Sequence, residues 1–245
     1  MEITRVKGIV LSEMPYKESS KLLNIVTKEY GVVGVIAKGA KSMKSKLRSV
    51  TTKLTYAEFQ INYKEGKLST LICADVINPL YNIKNNLLKI SYASYILELT
   101  NQVLKENNNG EIFNILLSTL LKLEEGLDEG ILSNIAELKY LSYLGISPNF
   151  DSCAICSSTK ILTISSEKGG FICQNHHTNE RIVNPKTLKI IRMLYYVDID
   201  KITKLEVSNE VKEEINNFIN EYYDRYTGLY LKTKEFLKTV RYSYI

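Results

Sequence analysis

The hydrophobic period of the chain changes once, near residue 80, and this change limits the folds that the sequence can adopt. Before it lie five short segments rich in β-branched and aromatic residues, separated by turn signals such as KEYG and YKEGK. Five strands in fewer than eighty residues predict a small closed barrel over residues 1–80, and the OB-fold is the commonest barrel of this kind. The predicted strands are residues 3–11, 21–27, 31–39, 53–62 and 67–76.

The rest of the chain has a helical period. After Asn78-Pro79, apolar residues recur at intervals of three and four, as in GILSNIAELKYLSYLG (130–145) and in a late stripe that runs from Val211 to Tyr226. Such stripes are typical of a helix-bundle core rather than of a ligand-binding face. The sequence therefore predicts a multi-domain α+β protein, with an OB-fold barrel in residues 1–80 and a helical domain in residues 81–245.

Positive charge is concentrated in the first third. Residues 1–80 contain 13 Lys and Arg against 7 Asp and Glu, a net +6, whereas residues 81–245 contain 19 against 20, a net −1. Residues 30–57 contain no acid at all. This segregation favours a module that faces a polyanion, the alternative being an ordinary lysine-rich surface. Five basic residues lie close together in VIAKGAKSMKSKLRS: Lys38, Lys41, Lys44, Lys46 and Arg48.

Three of the four cysteines and both histidines lie within one stretch of 25 residues. The spacing C-x2-C, sixteen residues, then C-x2-H is that of two knuckles that together supply four ligands to a structural Zn²⁺. Metal binding would supply the folding energy that this short polar segment lacks. His177 competes with His176 for the fourth position, and the x2 spacing favours His176; reduced thiols without metal are the alternative. The predicted ligands, at the centre of a zinc finger at about 150–180, are Cys153, Cys156, Cys173 and His176.

No catalytic motif is evident. There is no Walker loop, no G-x-G-x-x-G and no nucleophile elbow, and both histidines are assigned to the metal. Isolated Cys73 is expected in the core. The apolar runs are shorter than the roughly 20 residues of a spanning helix, and MEITRVKG is not a secretory signal. We therefore expect a cytoplasmic protein that is not an enzyme.

The succession of these elements resembles the RecO family of bacterial DNA repair proteins. YKESSKLLNIVTKEYGVVGVIAKGAKSMKSKLRS (16–49) is similar to the opening barrel of the family, with its E-S-D-K-like turn at 18–21 and its K-G-A-R-like element at 38–41. The Cys/His cluster resembles the zinc finger of many members, and GLYLKTKEFL (228–237) resembles their closing helix. Two departures are a histidine where the last metal ligand is often cysteine, and a turn that lacks the usual Asp.

The resemblance implies a recombination mediator located at the nucleoid. Such proteins bind single- and double-stranded DNA, anneal complementary strands, contact the C-terminal tail of single-stranded DNA-binding protein (SSB) and act with RecR to load RecA. A pocket for that acidic, apolar tail should combine basic side chains with apolar walls. Four basic residues are candidates for it, the alternative being an ordinary helix surface: Arg181, Lys186, Lys189 and Arg192.

The basic cluster, extended to Lys53, is then expected to neutralise DNA phosphates without reading sequence. Unpaired bases are expected to stack on an aromatic side chain of the neighbouring strand, with Tyr56, Phe59 and Tyr63 as the candidates. Alternation along 53–62 places Phe59 in the core and Tyr56 outside, so Tyr56 is the predicted stacking residue. Alternative classes are an RNA-binding protein with the same two modules, a hydrolase without a recognisable site, and an adaptor that only bridges proteins.

Overall fold

A computed structural model describes residues 2–243. All five predicted strands are present, although the first extends further than predicted and the fourth begins later. The elements of this region are β1 (Glu2–Tyr16), β2 (Ser20–Thr27), β3 (Gly31–Ala37), α1 (Leu47–Val50), β4 (Tyr56–Tyr63) and β5 (Ser69–Asn78).

The strands form a closed barrel in the order β1-β2-β3-β5-β4. Neighbouring strands are antiparallel except for β3 and β5, which pair in parallel through Val35–Ser69 and Ile36–Thr70. β1 is long enough to pair with β2 along one part and with β4 along another. Gly8 takes part in both pairings. A side chain would not fit there, because a Cβ atom would lie 2.6 Å from Ile25 Cγ2. This is the five-stranded Greek-key barrel of an OB-fold, as predicted.

Alternate residues of each strand fill the barrel. Leu23, Val35 and Phe59 are completely buried, and Leu47 of α1 packs against the same core. The prediction that Phe59 is a core residue is confirmed. Full burial of aliphatic and aromatic side chains contributes about 1.5–3 kcal/mol each, so this interior fixes the register of the strands.

The helical region follows directly. Asn86 begins the longest helix by accepting a hydrogen bond from Lys89 N, and Asp128 begins another by accepting from Ile131 N. The helices are α2 (Tyr81–Lys84), α3 (Leu87–Glu106), α4 (Gly110–Glu125), α5 (Glu129–Tyr143), α6 (Pro185–Tyr196), α7 (Asn209–Tyr226) and α8 (Lys232–Ser243). Between α5 and α6 lies a two-stranded sheet of β6 (Ile161–Ser165) and β7 (Gly170–Cys173).

The chain forms two compact units. One contains the residues up to Glu125 together with the segment from Thr233 onwards, and the other is Gly126–Lys232. Helices α2 to α4 therefore belong to the unit of the barrel, whereas the sequence divides by periodicity near residue 80. The last two residues of the predicted domain 81–245 lie outside the described residues. Within residues 2–243, no helix is long and apolar enough to cross a membrane.

Two exposure predictions are wrong. Tyr56 lies outside the barrel core but is only 9% exposed, because the outer side of β4 is covered at its first residue. Cys73, expected in the core, is exposed. A bulge in β5 shifts the register between the Gln60 and Ile61 pairs, so that Cys73 turns outward and contacts Gln60.

Candidate nucleic-acid interface and metal centre

The segment that follows β3 and includes the start of α1, residues 38–49, is called the basic segment below. Its backbone is anchored in the barrel, because Ala40 is completely buried and Leu47 packs against the core. The charged side chains between these anchors point into solvent. All five predicted basic residues of the segment are exposed: Lys38, Lys41, Lys44, Lys46 and Arg48.

Backbone hydrogen bonds shape the basic segment. Gly39 adopts a φ of +70°, a left-handed conformation that favours glycine, and Ser45 N donates to Ser42 O at 3.1 Å in a following turn. Lys41 N donates to Ser19 O at 2.9 Å. This bond joins the basic segment to the turn between β1 and β2. The cationic groups are thus displayed on a fixed loop beside a second loop of the barrel.

The charges of the basic segment are not neutralised locally. In the part of the chain that the structure describes, no carboxylate lies within 4.0 Å of its five cationic groups. Elsewhere on the barrel, Lys21 pairs with Glu13 and Arg5 pairs with Glu58 at 3.5 Å. A cluster of unpaired positive charge on a polar loop raises the local concentration of polyanions and can hold their phosphates.

Lys53, the sixth predicted basic residue, is placed differently. Its side chain is half-buried, and its ammonium group donates to Ser94 Oγ of α3 at 3.2 Å. Burial lowers the pKa of Lys53, and the nearby Glu98 carboxylate raises it in part. The structure therefore does not bring Lys53 into the exposed cluster.

The aromatic residue that accompanies the cluster is also different from the predicted one. Burial, with a contribution from Glu29, raises the pKa of Tyr56, which has no open ring face to offer a base. Tyr16, at the end of β1, is instead partly exposed, and the Lys17 ammonium lies 5.5 Å from its ring centroid. The sequence contained one signal for this pair: consecutive antiparallel strands place the β1–β2 turn beside the end of β3.

The four predicted metal ligands come together. Cys153 and Cys156 lie on a turn before β6, Cys173 ends β7, and His176 closes the short 3₁₀ turn that follows. Their ligand atoms all lie within 4.8 Å of one another. The distances are 3.6 Å between Cys156 Sγ and Cys173 Sγ, and 3.4 and 3.8 Å from His176 Nδ1 to the Sγ atoms of Cys173 and Cys153.

These distances fit a tetrahedral metal. For Zn–S of about 2.3 Å and Zn–N of about 2.05 Å, ideal tetrahedral edges are about 3.8 Å between sulfurs and about 3.6 Å between sulfur and nitrogen. Three thiolates and one imidazole form a soft donor set that suits zinc, and four protein ligands leave no position for substrate. The group therefore has the arrangement of a closed four-ligand site, with no ligand position left open.

The backbone of the first knuckle favours thiolate ligands. Ser157 N donates to Cys153 O at 3.0 Å, which closes a tight turn. Burial raises the pKa of the Cys153 thiol, but hydrogen bonds from backbone groups of Cys173, Ile155 and Cys156 lower it by more, to about 6. Because metals bind the thiolate form, this environment favours ligation.

The choice between the two histidines follows from their surroundings. His177 Nε2 donates to the carbonyl oxygen of Glu180 at 2.9 Å, and His177 is not among the four clustered ligands. Lys168 holds the loop from the other side, because its ammonium donates to His176 O at 2.7 Å and pairs with Glu180 at 2.5 Å. The preference for His176 drawn from spacing agrees with this arrangement.

The four basic residues considered for a peptide pocket lie in different places. Arg192 forms an ion pair with Asp151 at 2.8 Å, and Arg181 lines another cavity beside β6. Lys186 and Lys189, in contrast, line one groove of about 230 Å³ on α6. The other residues of this groove are Ile190, Glu206, Val207, Ser208 and Val211.

Comparison with known proteins gives the family. The family models described as Recombination protein O N terminal and Recombination protein O C terminal match residues 1–80 and 84–235. The chain belongs to the RecO family. It is 36% identical to the DNA repair protein RecO of Bacillus cytotoxicus over 239 residues, 96% of each chain. The same name is carried by relatives from Bacillus cereus strain AH187 and Bacillus anthracis strain CDC 684, each 35% identical with the same coverage.

Proposed function

We propose that this protein acts in DNA repair as a mediator that binds single- and double-stranded DNA through its basic segment. The observation that carries the proposal is the display of five exposed cationic groups, without a neighbouring carboxylate, on an anchored loop of an OB-fold. Membership of a family whose relatives are named DNA repair proteins supports the same role.

The mechanism is electrostatic. Each lysine or arginine that neutralises a phosphate releases a condensed counterion, and this gain does not depend on the base sequence. The same neutralisation reduces the repulsion between two complementary strands held near one loop, which favours their annealing. No step of this kind makes or breaks a covalent bond, so we propose a non-enzymatic activity, exerted in the cytoplasm at the nucleoid.

The proposed protein partners are RecR, the C-terminal tail of SSB and, indirectly, RecA, which would be loaded onto SSB-coated DNA. An acidic and apolar tail needs ammonium groups beside aliphatic walls. The groove on α6 offers Lys186 and Lys189 next to Ile190, Val207 and Val211, although Glu206 lies at the same groove. We propose this groove as the docking place of the tail.

We further propose that the metal is Zn²⁺ and that its role is structural. Cys153, Cys156, Cys173 and His176 would hold it, and the bound ion would join the two knuckles. DNA binding depends on another part of the chain, so metal loss should affect stability before DNA affinity.

The basic segment is tested by charge reversal. The variant K41E/K44E/R48E should lose DNA affinity by about 100-fold or more at low salt, because three attractive contacts become repulsive. The matched control K160E/K201E/K204E makes the same change of charge at exposed positions elsewhere. Unchanged affinity in a folded K41E/K44E/R48E variant would contradict the assignment, and RNA of matched sequence competing as well as DNA would contradict the choice of nucleic acid.

Mediation is tested with complementary oligonucleotides coated with SSB. The wild-type protein should accelerate their annealing, and SSB that lacks its C-terminal tail should reduce the effect. The variant K186E/K189E should mimic tail removal while retaining affinity for bare DNA. An annealing rate that is the same with and without the protein would refute the mediator role.

A further inference from the structure

The outer face of the barrel beside the basic segment is apolar. Met14 on β1 is paired with Leu22 on β2, which is paired with Ile36 on β3, so the three side chains form one row across three strands. Met14 is 50% exposed, and Leu22 and Ile36 are partly exposed. Their neighbours along the strands, such as Leu23, point into the barrel and are completely buried.

Tyr16 extends this row to the edge of the basic segment. It lies two residues after Met14, on the same face of β1, and is partly exposed at the β1–β2 turn. The following residue, Lys17, is exposed and places its ammonium group 5.5 Å from the ring centroid. Through the bond from Lys41 N to Ser19 O, the same turn adjoins the basic segment.

This surface combines a stacking platform with a cationic border. Three neighbouring strands span about 10 Å, which is enough to support the face of a base laid flat on the row. Lys17 and Lys38 border the row, against the single carboxylate of Glu18 on the turn. The positive border favours a polyanion over an apolar protein surface. Only an unpaired strand can place its base faces on the row, because the base faces of a duplex are covered by their stacked neighbours.

We propose that Tyr16, together with Met14, Leu22 and Ile36, is the surface on which unpaired bases stack while the basic segment holds the phosphates of the same strand. This inference rests on the proposed function and adds to it the element that distinguishes single strands from duplexes. The stacking is independent of sequence, since every base has a π face.

The absence of tryptophan from the chain makes a direct test possible. Tyr16→Trp introduces a single indole, whose emission should be quenched by an oligothymidylate of about 15 nucleotides and much less by a duplex of equal length. The matched control is Tyr81→Trp, at a position on α2 that is 65% exposed, which should show no change. Unchanged emission of the Tyr16→Trp variant under saturating oligothymidylate, with binding verified by anisotropy, would overturn the proposal.

Affinity measurements separate stacking from charge. Tyr16→Leu should lower the affinity for oligothymidylate by roughly 5- to 150-fold per stacked base, and leave the affinity for duplex within about two-fold. Tyr16→Phe, which keeps the ring, should behave as wild type. An equal loss for both ligands, or no loss for either, would refute the inference. If Tyr16→Leu has no effect while K41E/K44E/R48E abolishes DNA binding, the stacking surface is rejected and the proposed function stands. If K41E/K44E/R48E binds DNA normally, the proposed function itself is rejected.

Discussion

The number of exposed cationic groups in the basic segment predicts how steeply DNA binding depends on salt. If each of the five neutralises one phosphate, the slope of log affinity against log salt is about −3.5 for single strands and about −4.5 for duplex. Between 50 and 200 mM salt, the affinity should then fall about 100-fold for a single strand and about 500-fold for duplex.

Neutralising three of the five charges changes this slope by a defined amount. The variant K41Q/K44Q/R48Q retains Lys38 and Lys46, so its slope for single strands should be about −1.4 and its loss over the same salt range only about 7-fold. Glutamine keeps the length and polarity of the side chains. The change therefore removes charge without creating repulsion, unlike charge reversal.

Fluorescence anisotropy with a labelled oligonucleotide measures both slopes directly. The control K160Q/K201Q/K204Q removes the same total charge from exposed positions outside the basic segment, and it should retain the slope of the wild type. A folded K41Q/K44Q/R48Q protein with the wild-type slope would refute the reasoning, because the released counterions would then have to come from another surface.

Three further changes test other parts of the structure. Cys153→Ser should reduce the metal content, measured by mass spectrometry, from about one ion per chain to none. It should also lower the melting temperature while DNA affinity stays unchanged. The control Cys73→Ser, at an exposed position, should alter none of these quantities. Lys53→Gln should change oligonucleotide affinity by less than about two-fold, since its ammonium group is bound to α3. Gly170→Ala should lower the free energy of unfolding, measured in urea, by about 1–3 kcal/mol or more, because the new Cβ would lie 2.3 Å from Asn149 O. Gly145→Ala, with no atom within 4 Å of its Cβ, should lower the free energy of unfolding less.

The candidate metal centre was the most predictable part of the molecule. Its ligands come from two short turns, and the spacing within each turn fixes where the two side chains point, so local sequence determines most of the geometry. Spacing favoured His176 but did not show what His177 does. In the structure His177 donates a hydrogen bond to Glu180 O, and this bond comes from the path of the loop after the cluster.

The nucleic-acid interface was only partly predictable. A charge cluster on a loop is visible in sequence because solvent is its default environment, and the structure places Lys38, Lys41, Lys44, Lys46 and Arg48 there. Alternation along a strand shows which residues face the barrel interior but not which outward residues a later helix covers. Lys53 is affected in this way through its contact with α3, and Tyr56 is only 9% exposed although alternation places it outside. A strand bulge moves Cys73 for an equally non-local reason.

The two proposed contacts together would give the proposed annealing activity a direction. Phosphates are present in single strands and in duplex, so the basic segment by itself would hold reactant and product alike. Stacking on Tyr16 is available only to unpaired bases, and each base that pairs with a complementary strand leaves that surface. Pairing therefore removes one of the two contacts and leaves the salt-sensitive one, so that the finished duplex dissociates more readily than either single strand. A protein built in this way needs no chemical step to turn over, because base pairing itself supplies the free energy that releases the product.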